Sequence, residues 1–107
     1  IAYDKAIEFN PKNEYAYYGK GKSLEKMKDY NEAITVYNNV ITISHNNARG
    51  YYNLSRIYSQ KGISVTALIN FKKAIEIDET FLQKAIIEKD FDPIRDDPAF
   101  IKLIETK

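Results

Sequence analysis

Four carboxylates crowd one short stretch of this sequence: Asp90, Asp92, Asp96 and Asp97. Such a cluster is raw material for a calcium or magnesium site, because hard cations take oxygen ligands. An EF-hand loop, however, needs a glycine at its sixth position and a closing glutamate. Ile94 and Arg95 put a β-branched residue and a cation there instead. Helix capping is the better use for these acids, since Asp92–Pro93 and Asp97–Pro98 each set a carboxylate before a proline suited to a first helical turn. Ser44 and His45 are adjacent, so their side chains rarely converge, and no orienting acid is evident. Gly19-Lys20-Gly21-Lys22 lacks the spacing of a phosphate-binding loop. Without cysteine, and with His45 as the single histidine, there is no thiol nucleophile and no basis for a thiolate or histidine metal site. The expectation is a chain that is not an enzyme and uses no cofactor or metal.

Cations and aromatics are better placed for work. Tyr15, Tyr18, Lys22 and Lys26 recur at three- and four-residue steps, which gathers them on one face of a helix. Arg49, Tyr52, Asn53, Arg56 and Gln60 form a matching stripe further along. With Glu25 pointing away, the two stripes carry four cations and no acid.

The frame that must hold these stripes is small. The 107 residues suit one domain, burying roughly 65 % of the surface its unfolded chain exposes. Sixteen Lys and Arg against fifteen Asp and Glu leave a net charge of +1, too little bulk field to argue for nucleic acid or an anionic membrane. At 44 % hydrophobic and 29 % charged residues the balance is globular. Apolar runs are far too short for a membrane span and no signal peptide is visible, which points to a cytoplasmic domain. A patch of Lys20, Lys22, Lys26, Lys28, Lys72 and Lys73 beside tyrosines is the weaker, nucleic-acid reading, which the net charge opposes.

Sliding the chain against itself gives matches at an offset of 34. Tyr17 falls on Tyr51, Tyr18 on Tyr52 and Ala33 on Ala67, while Tyr3, Tyr37 and Phe71 form a triple. Ala6, Val40 and Ala74 form a second triple, followed by Ile7, Ile41 and Ile75. Read against the motif W-x2-L-G-x2-Y, A-x3-F, P, one copy runs Tyr17, Lys20, Gly21, Leu24, Ala33, Tyr37, and the next Tyr51, Leu54, Ser55, Tyr58, Ala67, Phe71. Over about residues 1–89 the chain resembles the tetratricopeptide repeat (TPR) family, with Lys20, Ser55, His45 and Glu79 departing from the pattern. The resemblance implies an all-α solenoid of antiparallel helix pairs in a right-handed superhelix, closed by a C-terminal capping helix. The expected organisation is the last helix of a preceding repeat over 1–11, repeats over 12–45 and 46–79, and a terminal helix with capping segment over 80–107.

Local signals agree with this layout. Tyr17, Gly21, Leu24 and Met27 mark a helical core stripe, and Ala33, Ile34, Tyr37, Val40 and Ile41 mark the next. Asp29 with Glu32 is a capping-box variant, Asn46 or Asn47 can cap the following helix, and Gly62 then Ser64 divides two more. Small residues, Gly21 above all, let paired helices approach while Tyr37 and Phe71 fill the space beside them. Tyr17, Tyr37, Tyr51 and Tyr58 fit core positions, whereas Tyr15, Tyr18 and Tyr52 fall off the stripe. Residues 1–9 read as a helix without its mate, so we expect a piece of a longer array with Ile1, Tyr3, Ala6 and Ile7 able to drive self-association. Phe100, Ile101, Leu103 and Ile104 are expected to cover the last repeat and end the array.

The resemblance also assigns the two stripes to the concave groove that binds peptides. Tyr15, Tyr18, Lys22, Lys26, Arg49, Tyr52, Asn53 and Arg56 then form a binding site for a protein partner, preferably an acidic segment. Arg49 and Arg56 would grip carboxylates, Lys22 and Lys26 add point charges, Tyr18 and Tyr52 supply rigid apolar contact, and Asn53 bonds the ligand backbone. The family's carboxylate clamp is not reproduced. Asn53 matches its middle Asn, but Tyr18, Lys22, Gln83 and Ile87 occupy the other positions. Homo-oligomerisation through the first helix is the alternative expectation.

Overall fold

Several helix boundaries have a local cause in the sequence. The computed structural model describes residues 14–105. Helix α1 spans Glu14–Lys26, α2 Tyr30–Ile43, α3 Ala48–Gln60, α4 Ser64–Ile77 and α5 Thr80–Ile87. A 3-10 helix over Lys89–Ile94 then leads to α6, Pro98–Glu105. The expectation of an unmated helix over residues 1–9 lies outside the described residues. The Asp29 carboxylate accepts from the Glu32 amide and starts α2, and Asn47 accepts from the Gly50 amide and starts α3. Asp97 accepts from the Ala99 amide at the start of α6. Ser64 is not a cap: it is the first residue of α4, and Ile63 before it offers no side-chain bond.

The two helix pairs end their first members the same way. Gly62 lies in the left-handed region at φ +77° after α3, and Lys28, 34 residues earlier, does the same at φ +60° after α1. Both close a turn in which the next amide reaches back, Ile63 to the Tyr58 carbonyl and Asp29 to that of Leu24, each at 2.9 Å. A lysine does there what glycine does more cheaply.

Helix α1 packs on α2, α2 on α3, and α3 on α4 and the 3-10 helix, while α4 meets α5 and α6. The chain is an all-α stack of helix pairs. One core cluster gathers Tyr18, Ala33, Tyr37, Val40, Leu54 and Ile57. The other runs through Tyr52, Phe71, Phe81, Phe91 and Phe100. Phe91 and Phe100 lie 5.4 Å apart and each sits about as close to Phe71, so α6 covers the last helix pair as expected. Arg95 fixes this end by donating to the Ala85, Ile86 and Glu88 carbonyls at the C-terminus of α5. Asp92 accepts from the Arg95 Nε rather than capping a helix, and Pro93 falls inside the 3-10 helix.

The expected core stripe of α1 is corrected. Ala16, Tyr18 and Gly21 are buried, Tyr17 and Leu24 only partly so, and Met27 is 68 % exposed. The cause is that α1 is covered by α2 and by the start of α3, so its buried face turns toward the seam between them. Gly21 does admit close packing. A Cβ there would stand 2.5 Å from two carbons of the Tyr37 ring. That ring is fully buried and held by its hydroxyl, so it has nowhere to go. Gly21→Ala is therefore expected to destabilise by about 1–3 kcal/mol, although alanine normally gains in a helix interior. Urea unfolding of the two proteins measures the sign, and a stabilised variant would contradict this packing.

Candidate functional site

Helices α1 and α3 place both stripes side by side, but the side chains divide into a buried floor and an exposed rim. Arg56 is the centre of the floor, only 3 % exposed. Its Nη1 and Nη2 donate to the two Glu25 oxygens at 2.9 and 3.0 Å, a bidentate pair. Nη1 also donates to Asp90 Oδ2 at 2.6 Å, and Nη2 to Asn53 Oδ1 at 2.9 Å. Tyr37 donates its hydroxyl to Glu25 from the α2 side, and Ser59 donates to the Asp90 carbonyl at 2.7 Å. One guanidinium thus joins α1, α3 and the 3-10 helix. Burial disfavours its charge, yet the bonds and charges of Glu25 and Asp90 outweigh that and raise its pKa above the ordinary arginine value.

Four sequence-based expectations are corrected here. Arg56 is not free to grip a partner's carboxylate, because Glu25 turns inward to meet it. Tyr18 is buried and donates to Asn47 Oδ1 at 2.5 Å, while Asn47 in turn donates to Glu14. Tyr52 is buried against Phe81, ring centroids 4.7 Å apart. Asn53 is buried with its oxygen on Arg56. The reason is geometric: α3 is sandwiched between neighbours on three sides, so a stripe that would be solvated on an isolated helix becomes interior.

The rim keeps the other four residues. Tyr15 is 80 % exposed, and Lys22, Lys26 and Arg49 are exposed as well. Arg49 lies over the Tyr18 ring, its guanidinium carbon 4.1 Å from the centroid, and remains exposed. Among the described residues none of these three cations forms an ion pair. Lys22 is exposed by area, yet surrounding protein, and then the nearby Arg56 charge, lower its amine pKa.

Sequence reasoning missed Asp90 and Asn47 as builders of this site. Asp90 carried a signal: Lys22, Arg56 and Asp90 stand 34 residues apart, one per turn of the repeat. A second register comparison explains Tyr52. Tyr18 bonds Asn47, but the residue in Asn47's place one repeat later is Phe81, so the Tyr52 hydroxyl gains a ring neighbour and, among the described residues, no hydrogen-bond partner.

Helix pairs of this register, stacked with a small residue (Gly21, then Ser55) in register with the aromatic of the second helix (Tyr37, then Phe71), define a helical-repeat class of protein. Family models agree: one described as TPR repeat matches residues 26–62, and two described as tetratricopeptide repeat match residues 2–35 and 48–81. The chain belongs to the tetratricopeptide repeat family. It is also similar to an N-terminal acetyltransferase A complex subunit-like protein of Schizosaccharomyces pombe, at 24 % identity over 78 residues. That match covers 73 % of this chain and 11 % of the relative. Repeats of this family generally mediate protein–protein interaction. No helix among the described residues is long and apolar enough to cross a membrane.

The buried phenols give the site a pH signature. Burial pushes Tyr18 and Tyr52 up to about 12, and it raises Tyr37 further, aided by its bond to Glu25. In the unfolded chain a tyrosine ionises near pH ~10, so the folded state holds protons that the unfolded state has released. Stability present below that pH is lost as pH rises toward about 12. The urea midpoint should fall across that window, and a flat midpoint would contradict the burial of these hydroxyls.

Proposed function

We propose that this chain is a protein–protein interaction module that holds an acidic segment of a partner along the face formed by α1 and α3. The observation that carries the reading is the rim: Lys22, Lys26 and Arg49 are exposed without an ion pair among the described residues, beside the exposed Tyr15. Beneath them Arg56 is already matched by Glu25 and Asp90, so the positive character of the face belongs to the three rim cations. An extended chain with carboxylates meets both needs, charge for the cations and apolar stem for the tyrosine. The similarity to a complex subunit-like protein of Schizosaccharomyces pombe supports an assembly role.

A fluorescein-labelled glutamate-containing peptide, with a glutamine counterpart, tests this by anisotropy. The charge reversals belong on the rim, because Arg56→Glu would set three acids together inside the floor. Lys22→Glu/Arg49→Glu is expected to weaken glutamate-peptide binding by at least about tenfold while circular dichroism is unchanged. Equal binding by variant and parent would contradict the proposal.

A further inference from the structure

The face does not keep one chemistry along its length. By the 34-residue register Arg49 corresponds to Gln83, Asn53 to Ile87 and Arg56 to Asp90. Ile87 is 83 % exposed, the most exposed large apolar side chain among the described residues. It ends α5 at the position where the preceding repeat has a buried asparagine. Ile86 beside it is half exposed and lines a cleft of about 150 Å³ with Phe100, Ile101 and Ile104, with Arg95 and Glu105 completing the wall. Lys84 and Lys89, both exposed, lie close to Ile87 in the chain, the Lys84 ammonium 4.5 Å from the Phe81 ring centroid. Isolated exposed isoleucines are ordinary, but this one adjoins Ile86, which lines the cleft, stands in register with the basic rim, and has two exposed lysines near it in the chain against the half-buried Glu88, whose carboxylate accepts from the Asp90 amide.

We infer that the partner segment has two parts, carboxylates that meet Lys22 and Arg49 and a bulky aliphatic side chain that seats on Ile87. This inference rests on the acidic-segment reading above. Lysines near the isoleucine in the chain favour an occupant that is acidic near its apolar anchor, which is the same kind of chain that suits the rim. Geometry sets the spacing. Packed helices lie roughly 8–10 Å apart, and an extended chain advances about 3.3 Å per residue. The step from Arg49 on α3 to Ile87 on α5 therefore spans about three residues, and from Lys22 on α1 about five or six.

Two labelled twelve-residue peptides in a Gly/Ser background make the test: a Glu pair with Ser four residues away, and the same peptide with Leu in place of that Ser. Leucine is expected to raise affinity for the parent chain about five- to tenfold. Ile87→Ser should lose that gain and still bind the leucine-free peptide as the parent does, which separates a lost anchor from a lost fold. If leucine adds nothing while Lys22→Glu/Arg49→Glu abolishes all binding, the inference fails and the acidic groove stands. If no peptide binds, both fail. Sedimentation of the same samples covers another occupant: a concentration-dependent dimer lost in Ile87→Ser assigns the isoleucine to a second copy and overturns the inference.

Discussion

A buried guanidinium sets the terms on which this stack of helices holds together. Arg56 cannot shed its proton, so an interior position obliges the fold to surround it with acceptors. Glu25 supplies two, Asp90 one and Asn53 one, and these come from three successive levels of the stack. The same Glu25 receives the Tyr37 hydroxyl, which presses that ring onto Gly21. Packing and electrostatics are thus one arrangement: the glycine admits the ring, the ring's hydroxyl orients the acid, and the acid holds the arginine. A repeat protein gains most from such a tie because each helix pair contacts only its neighbours.

The repeat solves the same local problem with different residues at each level. Gly21 faces Tyr37 in the first pair, while Ser55 and Phe71 stand in those positions in the second. The larger backbone-side residue is accompanied by the ring that lacks a hydroxyl. Lys28 and Gly62 close equivalent turns with the same left-handed backbone. Tyr18 satisfies its hydroxyl on Asn47, whereas Tyr52 meets Phe81 and trades a hydrogen bond for ring packing. The consequence for the face formed by α1 and α3 is a division by depth. Its floor is committed to holding the stack, and its rim stays open to solvent.

Much of the fold was legible in the sequence, because the 34-residue offset and the capping residues are local signals. Asp29, Asn47 and Asp97 cap helices as their positions suggest, and Phe100 covers the last pair. Half of the candidate site was not. Tyr18, Tyr52, Asn53 and Arg56 lie at surface spacing on a helix considered alone, and only the neighbours on either side make them interior. Tyr15, Lys22, Lys26 and Arg49 stayed outside because no further element of the described chain covers them. The decisive unknown was the direction of Glu25, since a single inward carboxylate converts Arg56 from a ligand grip into a structural joint. Helical periodicity places a side chain on a face and says nothing of which of two neighbours it will choose.

The central claim is that Glu25 and Arg56 act as one unit, and a double-mutant cycle in urea unfolding tests it most directly. The variants are Arg56→Met, Glu25→Gln and the pair together. Removing either alone leaves its buried partner short of a counter-charge, Arg56 keeping only Asp90 and Glu25 only the Tyr37 hydroxyl, so the two losses should not add, with a coupling energy of about 2 kcal/mol. Additivity within about 0.5 kcal/mol would contradict the account, leaving the two residues as independent occupants of the same interior.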